Sequence, residues 1–178
     1  TPLYSSAASD VYKRQLLLYA MIPDLVSLNG SPWKVLPAGI HQATLEEVKA
    51  MYAASRYRRQ LFDGLVVGVK QLSVAGCQRV YVDGSFVTSK PRPGDFDACW
   101  DPSGVQELLL DPIFKDFSNG RAAQKAAFKG EFFPSSLIEG GCGRAFVDFF
   151  QVDRFSGDAK GILLIDLSTD PTLGRSAA

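Results

Sequence analysis

The chain has 178 residues, 46% hydrophobic and 21% charged, which are ordinary values for a globular protein. They exclude a disordered, collagen-like or coiled-coil chain, and the length favours one principal domain. Nineteen basic residues balance nineteen acidic ones, which disfavours a strongly cationic nucleic-acid-binding protein. The sequence contains no run of 18 apolar residues, so it predicts no membrane-spanning segment and no membrane partner.

The first twenty residues differ in character from the rest of the chain. Residues 5–15 resemble a translated sequencing-adapter artefact of assembled microbial sequences, which would make Met21 the natural start. Two basic residues before the apolar stretch 16–22 also resemble a signal peptide, but Pro23 and Asp24 follow where small residues are expected. We therefore expect residues 1–20 to be a non-native or disordered leader without function.

Helices are predicted in the first half of the body of the chain. Residues 21–43 are rich in Pro, Gly, Asn and Ser, which indicates an extended N-terminal arm. Thr44 and Glu47 form a capping box that begins a helix reaching Tyr52. Apolar residues at spacings of four, four and three predict a second helix over about residues 58–75. We interpret the arginines near its beginning as exposed; they are Arg56, Arg58 and Arg59.

The second half reads mainly as strands and loops. The pattern predicts strands over residues 79–83 and 95–100, short helical turns over 103–117, and a helix over about 119–129. A loop is then expected over residues 130–143, followed by a hairpin of two strands, about 145–153 and 161–167. These elements give an α/β or α+β fold with a small mixed β-sheet flanked by helices. We expect a single domain over residues 44–170 and a frayed tail over 171–178.

The cysteine and histidine content restricts the chemistry. Cys77, Cys99 and Cys142 form no Cys-x-x-Cys motif, which suits free thiols in a reducing compartment and a cytoplasmic protein. His41 is the only histidine, so the chain cannot hold a two-histidine metal site, and no Gly-x-Ser-x-Gly motif accompanies it. We interpret His41 as a surface or helix-entry residue. Catalysis would then depend on carboxylates, lysines, arginines and bound metal.

Asp95 and Asp97 are the principal candidates for a metal site. Side chains two residues apart on a strand share one face, with α-carbons about 6.5–7 Å apart. Such carboxylates repel each other and raise each other's pKa unless a cation lies between them. The pair therefore indicates a platform for Mg²⁺ or Mn²⁺ carrying a nucleoside triphosphate. A polar edge strand is the alternative, but the apolar residues that follow the pair indicate a buried strand.

Other residues are candidates for binding phosphate groups. Gly84 allows close approach of a ligand to the backbone, Ser85 supplies a hydroxyl, and Lys90 could neutralise phosphate charge. An ordinary strand-ending turn is the alternative for Gly84 and Ser85. Arg121 and Lys125 share one face of a predicted helix and could hold triphosphate or acceptor, or could simply face solvent.

At these residues the sequence resembles a known superfamily. A hydrophobic strand, Gly84-Ser85, a gap of about ten residues and then Asp95-Phe96-Asp97 is similar to the pattern of polymerase-beta-like nucleotidyltransferases. The strings at 81–91 and 94–97, with 36–41 and 160–162, resemble a narrower, largely uncharacterised microbial group within it. The resemblance implies a nucleotidyltransferase-like fold and an enzyme that moves a nucleoside monophosphate from a nucleoside triphosphate to an acceptor hydroxyl, using two metals.

The resemblance also implies a third carboxylate on a neighbouring strand. Asp148 is our first choice because it lies in mid-strand among large apolar residues, Asp166 is the rival, and Asp153 is adjacent to a turn. Without a third ligand the protein would be a catalytically silent nucleotide-binding or interaction module, which is the alternative function. The acceptor could be protein, RNA or a small molecule, and an antitoxin-type protein partner is possible by resemblance.

Overall fold

The computed structural model describes residues 22–174, so the predictions for residues 1–20 and for the last four residues lie outside the described part. Strands and helices alternate irregularly along this part of the chain. In chain order they are β1 (Gly39–Gln42), α1 (Leu45–Tyr52), α2 (Arg56–Val74), β2 (Arg79–Asp83), β3 (Phe96–Trp100), α3 (Ala122–Phe128), β4 (Gly130–Pro134), α4 (Phe146–Phe149) and β5 (Gly161–Asp166).

The five strands form one mixed sheet in the order β1-β5-β2-β3-β4. The central strands β5, β2 and β3 are antiparallel neighbours, whereas β1 is parallel to β5 and β4 is parallel to β3. Helices flank this sheet, which confirms the predicted α+β class. Strand β1 comes from the predicted arm, so the end of the arm is an edge strand of the sheet.

The predicted helical signals correspond to the observed helices. Thr44 caps α1 through the expected reciprocal hydrogen bonds with Glu47. The apolar stripe of α2 is buried against the sheet; it consists of Leu61, Leu65, Val69 and Leu72. Gly64 allows α2 to pack closely on the end of α3, because a Cβ at this position would collide with the carbonyl of Phe128. No helix within residues 22–174 has the length and apolar character needed to cross a membrane.

The two faces of the sheet carry different side chains. Val80, Val82 and Ala98 belong to the main core, which includes the buried residues of α1 and α2. The alternate residues Tyr81 and Cys99 belong to a smaller cluster that includes Phe133, Phe146 and Phe150. Because side chains alternate along a strand, the odd-numbered positions of β2 and β3 face this smaller cluster. Asp83 and Asp97 therefore lie on the face opposite the main core.

Three local predictions after residue 129 are wrong. The predicted loop 130–143 begins with strand β4, and the predicted strand 145–153 is replaced by the short helix α4. The predicted hairpin is reduced to a single antiparallel bridge between Val152 and Ala159. The apolar residues Phe146, Phe149 and Phe150 have helical spacing, and two of them pack on Phe133 of β4.

Candidate active site

A row of carboxylates crosses three adjacent strands on the face opposite the main core. Asp97 of β3 is the register partner of Asp83 on β2 and of Glu131 on β4. Register partners on neighbouring strands project their side chains to the same face. Asp95 precedes β3 by one residue, and its pKa is raised by burial and then by the charge of Glu131, so we group it with the row. The row brings four acidic side chains together.

Two of these carboxylates are compensated by direct ion pairs. Buried Asp83 contacts the ammonium group of buried Lys160. Glu131 is also buried, and one of its oxygens lies 2.9 Å from Arg121 Nε and 2.8 Å from Lys125 Nζ. Within residues 22–174, neither Asp95 nor Asp97 forms an ion pair. The uncompensated negative charge is thus concentrated on Asp95 and Asp97.

The pKa shifts follow this distribution of charge. Burial raises the pKa of Asp97 well above its usual value, and the charges of Asp83, Asp95 and Glu131 raise it further. Burial and Glu131 also raise the pKa of Asp95, although nearby cations oppose the shift. Burial favours neutral Glu131, but its ion pairs with Lys125 and Arg121 hold its pKa below the usual value. Perturbed carboxylates that face a cavity are typical of functional sites.

Gly84 lies directly against Asp97. It follows β2 with a φ of 80°, which L side chains rarely adopt, and precedes the short 3₁₀ turn Ser85–Val87. A Cβ at Gly84 would lie 2.8 Å from the backbone nitrogen of Asp97 and would also collide with its carboxylate. The sequence predicts a glycine here that allows close approach of a ligand; in the structure the close neighbour is Asp97 itself.

Arg58 fixes the loop that follows Gly84. It is buried at the beginning of α2, and its guanidinium donates hydrogen bonds to the carbonyls of Tyr52, Phe86 and Lys90. It also lies over the ring of Phe86, 5.3 Å from the centroid. The interpretation of the arginine cluster as exposed is therefore wrong for Arg58, although it holds for Arg56 and Arg59. Burial of a charged residue depends on distant carbonyls that local sequence does not reveal.

Three of the four carboxylates, Asp83, Asp95 and Asp97, line a cavity of about 450 Å³, and Glu131 does not. One part of the lining consists of these three carboxylates and the loop after β2; its residues are Asp83, Gly84, Ser85, Thr88, Lys90, Gly94, Asp95 and Asp97. Lys160 lies at the cavity beside Asp83. The remaining lining residues come from the segments 31–35 and 149–155. The structure thus brings together five of the predicted site residues: Gly84, Ser85, Lys90, Asp95 and Asp97.

The remaining predicted site residues have other positions. Arg121 and Lys125 bind Glu131 and do not line the cavity. Asp148 is exposed on α4 and is not a lining residue, because the strand predicted to carry it is a helix. Asp166 ends β5 and bonds to Ser168. Asp153 lines the cavity but is not part of the row.

Two charged residues that contact the site, Glu131 and Lys160, were not predicted from the sequence. Glu131 lies in the run Gly130-Glu131-Phe132-Phe133, where a single carboxylate among apolar residues is the signal that led us to Asp148. Lys160 lies in the string that supports the resemblance, but nothing in its neighbours indicates a partner at Asp83. Glu131 and Lys160 lie near the other charged residues because of the order of the strands in the sheet, which the local sequence does not reveal.

The carboxylates fit a divalent cation that is also held by phosphate. Within residues 22–174, no three His, Cys, Asp or Glu side chains are arranged as a set of metal ligands. Asp95 and Asp97 nevertheless offer hard oxygen atoms and negative charge without a protein counter-ion. Mg²⁺ is usually bound through one or two carboxylates, with water and substrate phosphates completing its coordination. The donor set therefore suits Mg²⁺ or Mn²⁺ carried by a nucleotide better than a cation bound by protein alone.

Comparisons with known proteins identify the family. A family model described as "Family of unknown function (DUF6932)" matches residues 29–166, which include all the residues that line the cavity. No curated protein matches the chain, and no solved structure matches it. The chain therefore belongs to the family of unknown function DUF6932.

Proposed function

We propose that this protein is a Mg²⁺- or Mn²⁺-dependent nucleotidyltransferase that moves a nucleoside monophosphate from a nucleoside triphosphate to an acceptor hydroxyl. The observation that carries the proposal is the pair Asp95 and Asp97, uncompensated and facing one cavity with Ser85 and Lys90. A cavity of about 450 Å³ is within the usual range for a small-molecule site. The resemblance of residues 81–97 to nucleotidyltransferases supports the same chemistry.

The residues of this chain divide the task as follows. Asp95 and Asp97 would hold the cation, which when bound neutralises phosphate charge and favours departure of pyrophosphate. Ser85 donates a hydrogen bond and Lys90 supplies positive charge to the phosphates. The acceptor oxygen forms a bond to the α-phosphorus while the bond to the bridging oxygen breaks and pyrophosphate leaves. The acceptor proton passes to water or to a carboxylate oxygen at the site.

Glu131 replaces Asp148 as our choice of third carboxylate. Neither residue lines the cavity, but Glu131 is the register neighbour of Asp97, whereas Asp148 is exposed on α4. Arg121 and Lys125 form ion pairs with Glu131 in the described structure, and both cations also lower the pKa of Asp95. A bound triphosphate would attract these cations and so weaken their hold on Glu131. Arg121 and Lys125 could then contribute to phosphate binding as well.

A specific observation favours the alternative of a catalytically silent nucleotide-binding module. Two cations already neutralise the carboxylate beside Asp97, and no three-ligand metal set exists within residues 22–174. If Glu131 stays paired, the protein would bind a nucleotide with its cation and transfer nothing. The two functions differ in whether the α-phosphate becomes covalently attached to an acceptor.

The test is transfer of label from nucleoside triphosphates labelled at the α-phosphate, with Mg²⁺ or Mn²⁺ and cell lysate. Asp97→Asn should lose on the order of a hundredfold or more in rate, while His41→Ala should match the wild type. Separation of labelled protein, RNA and small molecules identifies the acceptor class, including any antitoxin-type protein. Equal transfer by wild type and Asp97→Asn would contradict the proposal, and binding without transfer would establish the silent module.

We also propose that the protein works in the cytoplasm. The support is that Cys77, Cys99 and Cys142 are all free thiols, and free thiols suit a reducing compartment.

A further inference from the structure

Part of the cavity lining is aromatic and partly exposed. Trp33 comes from the N-terminal arm, while Phe149 and Phe155 lie at the end of α4 and in the turn before β5. Phe155 is 50% exposed and Phe149 is 37% exposed, so neither ring is fully buried in the core. The guanidinium of Arg154 lies over the ring of Phe155, 4.7 Å from its centroid. We call these residues, Trp33, Phe149, Arg154 and Phe155, the aromatic wall.

Hydrogen bonds hold the two segments of the aromatic wall together. Asp153 is buried, and its carboxylate accepts hydrogen bonds from the backbone nitrogen of Ser156 at 2.8 Å and from the Ser156 hydroxyl at 2.9 Å. Its other oxygen accepts a hydrogen bond from the Ser31 hydroxyl at 3.3 Å. One carboxylate therefore ties the arm to the turn that carries Phe155. We call Ser31, Asp153 and Ser156, which hold the segments that carry Trp33 and Phe155, the frame of the aromatic wall.

A second set of bonds sets the position of this frame relative to the carboxylates. Lys34 and Ser89 exchange two hydrogen bonds, of 2.8 and 3.0 Å, which join the arm to the loop that carries Lys90. The ion pair of Lys160 with Asp83 joins the turn before β5 to the row. Both sets of residues therefore line one cavity, one set suited to phosphate with its cation and the other to a flat ring.

We infer that the aromatic wall binds the base of the nucleoside triphosphate, with the phosphates directed toward Ser85, Lys90 and the carboxylates. This inference rests on the proposed function, which places the triphosphate at the carboxylates. Aromatic side chains stack on the face of any base, and an arginine beside them adds a cation–π contribution. A ligand that combines a planar ring with a polyanionic chain can contact the aromatic wall through its ring and the phosphate-binding residues through its chain.

The test is equilibrium binding by calorimetry of ATP, GTP, CTP and UTP with Mg²⁺, and of inorganic tripolyphosphate as a probe without a base. Phe155→Ala should weaken the best-bound nucleotide on the order of tenfold and leave the affinity for tripolyphosphate unchanged. Phe155→Tyr should retain nucleotide affinity because it retains the ring. Phe117→Ala is the matched control, since Phe117 is similarly exposed at 38% but stacks on Phe133 and does not line the cavity.

Tryptophan fluorescence gives an independent reading. Trp100 is buried in the main core, so Trp33 is the tryptophan at the cavity. Nucleotides should change the emission of Trp33 and tripolyphosphate should not. The change should disappear in Trp33→Phe.

The outcomes separate this inference from the proposed function. If nucleotides bind and are transferred but Phe155→Ala and Phe149→Ala bind them as the wild type does, the aromatic wall does not hold the base and the inference is overturned. An equal loss of nucleotide and tripolyphosphate affinity also overturns it. If the variants lose only nucleotide affinity while no transfer occurs, the inference stands and the proposed transfer fails. If the wild type binds no nucleotide, both fail.

Discussion

Replacing Asp97 with asparagine should stabilise the metal-free protein at neutral pH. Asp97 is partly buried in a row of carboxylates, and no cation pairs with it or with Asp95 in the described part of the chain. Asparagine has nearly the same shape and carries no charge. Its amide can donate a hydrogen bond to Glu131, a bond that Asp97 can make only in its protonated form.

The size of the effect follows from the charges in the row. Two unit charges about 6.5 Å apart repel by about 2.5 kcal/mol at an effective dielectric constant of about 20. Burial and the charge of Asp83 raise the pKa of Asp97 as well, and the ion pairs of Asp83 and Glu131 offset part of the repulsion from those two carboxylates. We expect Asp97→Asn to raise the free energy of unfolding by about 1–3 kcal/mol. In a domain of this size, that raises Tm by about 3–10 °C.

The gain should depend on pH in a defined direction. Because the native pKa of Asp97 is raised, the native state binds this proton more tightly than the unfolded state. Wild-type stability from this group is therefore present below the unfolded pKa, near 4, and is lost as pH rises through the raised native pKa. The variant lacks this loss, so its advantage should grow from about pH 4 to neutral pH.

The assay is urea unfolding in the presence of a chelator, followed by circular dichroism at several pH values between about 4 and 7.5. Exposed Asp148→Asn is the control and should stay within about 0.5 kcal/mol of the wild type. Adding Mg²⁺ in place of the chelator should stabilise the wild type more than Asp97→Asn. A variant less stable than the wild type at neutral pH, or a difference independent of pH, would refute the reasoning.

Two further substitutions test the residues around the row. Gly84→Ala should destabilise the protein by about 2–4 kcal/mol in urea unfolding, because a Cβ there meets the backbone of Asp97 at a positive φ. Gly94→Ala is the control and should cost little in the same assay, because a Cβ at Gly94 meets open space. Lys160→Met should cost about 3–5 kcal/mol by leaving Asp83 buried without its counter-charge, and adding Asp83→Asn should recover part of that loss; no recovery in urea unfolding would show that the ion pair is not the cause.

Local signals in the sequence were sufficient for the helices before residue 130 and for part of the site. The capping box of Thr44 and the stripe of α2 are patterns within a few residues, and both correspond to observed elements. The pairing of Asp95 with Asp97 and their closeness to Gly84 also follow locally, from strand spacing and a short connection between antiparallel neighbours. Such features need no knowledge of the sheet order.

The rest of the site depends on which strands become neighbours. Glu131 and Lys160 approach the row only because β4 pairs with β3 and β5 pairs with β2, and both pairings join distant parts of the chain. The error at residues 145–153 has another cause. A short apolar run is compatible with a strand or a buried helix, and the packing of its rings on Phe133 decides the matter. Because this segment is a helix, Asp148 does not lie in the row of carboxylates.

The positions of Arg121 and Lys125 bear on why a cation would bind at Asp95 and Asp97. Four ionised carboxylates in one row would strongly oppose folding if none were compensated. Arg121 and Lys125 neutralise Glu131 at one end, and Lys160 neutralises Asp83 at the other. The fold thus stabilises the ends of the row and leaves negative charge at its centre, beside the cavity. A cation bound there relieves a repulsion that folding has left in place, so its binding should stabilise the protein as well as equip the site for phosphate chemistry.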